Sequence, residues 1–238
     1  MGRVLKFIIG LALLPLVWAT CKFSLGILLL AMNAPAWQWG NVAWFGAGFV
    51  IWLVCFHVLP RPTWLYVFGH ELTHVVAIWL SGGIIFRFIV TTAGGQVHTD
   101  RTSMFISLAP YIIPLFPAVT GLAWVGMTWM WPDLVHYQHW FLFYWGLVWS
   151  FHLSFTIAVF ATEQTDFSSQ GYLFSYVIIL LGNLWIITGL LWAWTEVYGL
   201  REGLNNYLTY CWNDYDAFIQ FSIHAIRHLF MLFNRPVT

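Results

Sequence analysis

Long apolar runs alternate along the chain with short polar or proline-rich breaks. A transmembrane helix needs about 20 mainly apolar residues. Six runs come close enough to that length: Phe7 to Met32, Val42 to Leu59, Thr63 to Leu80, Met104 to Trp131, Trp140 to Ala161 and Tyr172 to Trp194. The first opens like a signal peptide, but hydrophobicity resumes directly after Lys22, so the pattern predicts an uncleaved span with Lys22 snorkelling or lining the interior. Asn33 to Asn41, with Pro35, Trp37 and Trp39, reads as an interfacial turn. Pro60-Arg61-Pro62 ends the second run, and Pro62 suits the first turn of the third. Ser81-Gly82-Gly83 supplies a glycine helix stop.

Between the third and fourth runs the period changes. Residues 84–92 are β-branched and aromatic, Ala93-Gly94-Gly95 can turn, and Gln96 to Thr99 follow, which together predict a β-hairpin. The fourth run carries Pro110, Pro114 and Pro117, so it is expected to kink or break, with water in a cavity serving the freed carbonyls. Pro132 to His139 is a loop, and residues 162–171 form a polar stretch. From Tyr215 the apolar residues Phe218, Ile219, Ile223, Ile226 and Phe230 recur at helical spacing, as in an interfacial amphipathic helix.

Composition turns this pattern into a class. The chain is 61% hydrophobic and 8% charged, with mean hydropathy +0.76, more apolar surface than a soluble 27.6 kDa domain can hide. The expected fold is an all-α polytopic membrane protein with about six transmembrane helices, a short membrane-associated hairpin and an amphipathic C-terminal helix. It forms one membrane-embedded domain over residues 1–238. Zero net charge gives no sign of a nucleic-acid partner. Seventeen tryptophans suit interfacial belts in a lipid bilayer. Cys21, Cys55 and Cys211 have no metal-ligand spacing. With six spans, Arg3, Lys6, Arg61, Arg201, Arg227 and Arg235 fall on one side and only Arg87 and Arg101 on the other, which places both termini in the cytoplasm.

Inside the third run stands His70-Glu71-Leu72-Thr73-His74. On a helix, positions i and i+4 share a face, so both histidines can address one ion, with Glu71 beside them able to reach a water on it. Chance would produce such a motif in about 0.01 chains of this composition, so it is informative. An ionisable group within a membrane span is costly, which makes a functional role the default reading for Glu71.

Gly69 to His74, the downstream Ala77, Gly82 and Gly83, and the hairpin after them resemble the site-2 protease (M50) family of intramembrane zinc metalloproteases. The resemblance implies one zinc per chain and a catalytic core over about 63–195, followed by a C-terminal interfacial tail at 196–238. His70, His74 and a distant aspartate would hold the zinc, with Glu71 as the catalytic base. It also implies substrates that are transmembrane segments of other proteins, with membrane partners as regulators. Asp166 best matches the aspartate by its distance from His74, although the family's Asn-Pro and Leu-Asp-Gly context is missing. His152, at the depth of the two histidines in the fifth run, is the rival third ligand or a group that orients Asp166. A helical substrate must unwind before cleavage, and the hairpin, through Phe88, Val90 and Gln96, is expected to receive the unwound strand.

Two other readings remain. His136/His139 and His224/His228 would add ligands for a membrane di-iron oxygenase of the desaturase or hydroxylase type, though no adjacent His-His pair occurs. A metal transporter or metal-stabilised scaffold would need more polar groups threading the spans than Lys22, His57, His152 and Asn183.

Overall fold

A computed structural model describes residues 2–34, 38–160 and 165–233. Pro35 and Trp37 of the expected interfacial turn, the end of the fifth run with Thr162 to Gln164, and Arg235 lie outside the described residues. The chain divides into two compact units, residues 38–172 and residues 1–37 with 173–238.

The unit holding both termini consists of α1 (Arg3–Ala12), α2 (Leu14–Met32), α9 (Tyr172–Thr195) and α10 (Leu200–Phe233). Val17 packs with Val177 and Leu181 between α2 and α9. Lys22 is half-buried and ion-paired with Asp214 of α10. Two residues earlier, Thr20 shares a 2.9 Å hydrogen bond with Tyr207, whose hydroxyl also accepts from Trp185 Nε1 at 2.7 Å. Apolar surroundings offer no water, so polar side chains on these helices are satisfied by one another. The C-terminal helix therefore differs from the expected interfacial element. It starts at Leu200, and its Tyr207–Asp214 portion packs on α2. Beyond Tyr215, Phe218, Ile219, Ile223 and Ile226 are exposed, as an amphipathic face would be.

The other unit runs α3 (Trp39–Val58), α4 (Thr63–Leu80), β1 (Ile85–Thr91), β2 (Gly94–Thr99), α5 (Met104–Ile112), α6 (Leu115–Met130), a 3-10 helix (Pro132–Tyr137), α7 (Gln138–Phe160) and α8 (Thr165–Gln170). Helix α4 begins directly after Pro62 and stops as its glycines predict. Gly82 takes φ +68°, and the Gly82 and Gly83 N–H groups donate back to Trp79 and Ile78. The strands pair antiparallel, Phe88 opposite Val97 and Ile89 opposite Gln96. Ile85 and Val97 pack on a core of Ala77, Ile78, Ile106 and Ala109, which fixes the hairpin over α4 and α5.

The fourth run breaks where the prolines stand: α5 and α6 meet at 66°. Among the described residues four helical segments are long and apolar enough to cross a membrane: Arg3–Met32, Trp39–Val58, Pro132–Phe160 and Tyr172–Thr195. The bent pair raises the number to five if it is one span. Helix α4, at 18 residues, is the sixth expected span and is not among them, because its two histidines and Glu71 dilute the apolar run.

Helices α3 and α7 approach each other backbone to backbone. A Cβ at Gly48 would lie 1.9 Å from the Phe143 carbonyl oxygen, and one at Gly146 would lie 2.1 Å from that of Phe45. Backbone cannot yield as a flexible side chain can, so the two helices would have to separate. Gly48→Ala and Gly146→Ala are each expected to destabilise the protein by about 1–3 kcal/mol. Gly126→Ala, built into open space on α6, is expected to have the opposite sign. Thermal unfolding of the three variants in detergent checks this.

Candidate metal centre

The third-run motif is helical throughout, and α4 turns His70, Glu71 and His74 to one side, where they line a common cavity. Asp166 meets them from the first turn of α8. Its Oδ2 lies 3.7 Å from Nε2 of His70 and 3.7 Å from Nε2 of His74. All three donor atoms lie within 4.8 Å of one another, the only such group of three among the described residues. Ligand atoms about 2.0–2.1 Å from a tetrahedral ion sit roughly 3.3 Å apart, so two of the three edges are within a few tenths of an ångström of that figure. Two imidazole nitrogens and one carboxylate oxygen converging on one point fit a metal ion, so His70, His74 and Asp166 could hold one. Burial by itself would raise the Asp166 carboxyl, but the two imidazoles facing it outweigh that and hold it well below the usual carboxylate range.

Each ligand is held from behind. Nδ1 of His74 donates to the carbonyl of Ile106 at 2.8 Å, which leaves the Nε2 lone pair for the ion. That carbonyl is available because the residue four positions on is Pro110, which has no N–H to give it. The freed carbonyl is served by a ligand side chain, where the sequence had suggested water. Tyr111, the next residue, is fully buried and donates to Oδ2 of Asp166 at 3.0 Å. Its ring meets His70 edge-on at 5.0 Å and Phe167 at 4.6 Å. Tyr66 Oη stands 3.4 Å from Nδ1 of His70, its ring stacked on Phe155. Neither tyrosine was singled out from the sequence. The available signal was a tyrosine within an apolar run, since a buried phenol needs a hydrogen-bond partner.

A cavity of about 280 Å³ opens onto the ligands, walled by α4 on one side and β2 on the other. Glu71 is 7% exposed and lines it. A Cβ on Gly95 would fall 2.3 Å from Cγ of Glu71, so the hairpin rests directly on this carboxylate. Of the expected docking residues, Gln96 lines the cavity, whereas Phe88 and Val90 belong to β1 and do not. Phe88 instead meets Phe68 of α4 edge-on at 6.3 Å.

His152 is buried on α7 and, with His70, borders a separate small void of about 20 Å³. It is not in the ligand group; Asp166 is. His136 hydrogen-bonds the Asp133 carbonyl, and His139 packs at 5.3 Å on Trp44. Among the described residues neither they nor His224 and His228 form a second group of three.

The chain matches no protein-family model, no curated protein and no solved structure. What can be said of the site therefore rests on its own residues.

Metal content of the purified protein, read by elemental mass spectrometry, is expected to be lost in Asp166→Ala and kept in His152→Ala. Tyr111→Phe keeps the ring packing and removes the hydroxyl, and is expected to weaken metal affinity by about 10–100-fold in chelator competition. Pro110→Ala should separate two effects of one residue. It restores a donor to the Ile106 carbonyl, so α5 gains a hydrogen bond and thermal stability is expected to hold or rise, while metal affinity falls about tenfold as His74 loses sole use of its acceptor.

Proposed function

We propose that this protein is an intramembrane zinc metalloprotease that hydrolyses peptide bonds in or near transmembrane segments of other proteins. One observation carries the reading. A carboxylate outside the ligand group, Glu71, lies in the same cavity as His70, His74 and Asp166, in a chain whose described residues include four helices apolar enough to cross a membrane. Two histidines and a carboxylate are a usual ligand set for catalytic zinc, which leaves a fourth position open. Zinc so bound supplies Lewis acidity, polarising a carbonyl and lowering the pKa of a water towards about 7.

The remaining work falls to the chain. Glu71 accepts the proton of the attacking water and returns it to the leaving amine. Its seat against Gly95 fixes which way its carboxylate faces. The Ile106 carbonyl and Tyr111 hold His74 and Asp166 in place through the reaction. A substrate helix has its own carbonyls satisfied and must unwind before one can be attacked. Strand β2, which contributes Gly95, Gln96, Val97 and Thr99 to the cavity wall, is placed to receive it in extended form. In this reading α4 and the bent α5–α6 pair lie within the bilayer, as the four apolar helices do, with both termini cytoplasmic.

The test separates the base from the ligands. Zinc-loaded protein in vesicles is expected to cleave members of a panel of tagged single-span proteins. Glu71→Gln should lower that rate by at least about 100-fold while zinc content stays at one per chain. A full complement of zinc with no cleavage of any panel member by the wild type would sink the protease reading.

A further inference from the structure

The cavity that holds the ligand group also reaches Arg101. This residue sits in the segment between β2 and α5 and is exposed. Its side chain makes one hydrogen bond, Nη1 to the Ser81 carbonyl at 2.9 Å. Among the described residues no carboxylate forms an ion pair with it. The neighbouring Asp100 feels its charge through space but forms no salt bridge with it, its Oδ1 accepting instead from the Ile84 N–H at 2.6 Å and from the Thr99 hydroxyl at 3.4 Å. A guanidinium carries five N–H donors in a planar fork, so most of this one's capacity remains to be used, and the fork matches a carboxylate.

Position sharpens the point. The Ser81 carbonyl to which Arg101 is anchored lies seven residues along the chain from His74, at the end of the same helix. At 1.5 Å per residue that is about 10 Å along the helix axis. An extended peptide advances about 3.3 Å per residue, so about three residues span the interval. The near end of the cavity is taken up by the ligand group and Glu71. Its far end offers an arginine that, among the described residues, no carboxylate salt-bridges.

We infer that Arg101 is an anion subsite of this cavity, selecting substrates that carry a carboxylate about three residues from the cleaved bond. The inference rests on the metalloprotease reading and deepens it. The carboxylate is either an aspartate or glutamate side chain or the free carboxyl terminus of the substrate; the chemistry is shared, and the assay distinguishes them.

The probes are three tripeptides, each headed by a succinyl hydroxamate that binds the zinc. They are identical except at the third residue, which is alanine amide, aspartate amide or alanine with a free α-carboxylate. Binding to the zinc-loaded full chain in neutral detergent is measured by titration calorimetry. At least one carboxylate probe is expected to bind about tenfold more tightly than the alanine amide. The better of the two names the source. In Arg101→Gln that ratio is expected to fall to near one, and in Arg101→Lys to an intermediate value, because a point charge keeps attraction but not the bidentate fit. Using a ratio removes any general loss of binding caused by weakening the contact with Ser81. Equal affinities in the wild type, or a preference that survives in Arg101→Gln, would overturn the subsite. Failure of all three probes to bind zinc-loaded wild type would instead overturn the metalloprotease reading beneath it, since the bound zinc would not be open to a ligand in the cavity.

Discussion

A backbone carbonyl that loses its helical donor inside a protein needs another hydrogen-bond partner. Pro110 imposes that condition on Ile106, and the group that answers is Nδ1 of His74. Much of the site follows from this one pairing. It selects the imidazole tautomer, aims Nε2 at Asp166, and ties α5 to α4 at the level of the ligands. With α5 fixed there, Tyr111 is brought against Asp166, so the carboxylate from α8 is held by the same short helix that orients the histidine. A helix break that looks like a packing defect is the point from which two of the three ligands are positioned.

The same need to pair polar groups shapes the unit formed by the two ends of the chain. Lys22 and Asp214 neutralise one another, and Thr20, Tyr207 and Trp185 close a hydrogen-bond relay beside them. Removing either member of the ion pair would leave an uncompensated charge among apolar helices, which costs more than the pair itself contributes. The pair accordingly reads as a device that registers α10 against α2 and not as a source of stability.

Much of this was legible in the sequence because it is written in local chemistry. The apolar runs, the glycine stop after Leu80, the hairpin and the break at the prolines each depend on residues within a few positions of one another. His70, Glu71 and His74 were legible for the same reason, since helical spacing places them. Asp166 could be matched to the pair only through a family resemblance, because nothing local says that α8 returns to α4. His152 competed on depth alone, and depth does not encode the direction in which a side chain faces. Tyr111, Tyr66 and the Ile106 carbonyl were invisible, being contacts between elements that no periodicity reports. The attachment of the C-terminal helix was invisible for a related reason: Tyr207 and Asp214 read as polar positions of a solvated helix, yet both are spent on α2.

The meeting of Gly95 and Glu71 has a consequence for how such a chain can drift over generations. The hairpin and the motif helix are separate elements, yet no side chain can be added at position 95 without moving the carboxylate beneath it. As long as the carboxylate stays, the glycine is bound to stay with it, even though it has no chemistry of its own. Gly94, one residue earlier, is free of that neighbour and answers only to its φ of +150°. Two adjacent glycines in one turn thus carry different histories: one kept by the shape of the turn, the other by a group that arrives from elsewhere in the chain.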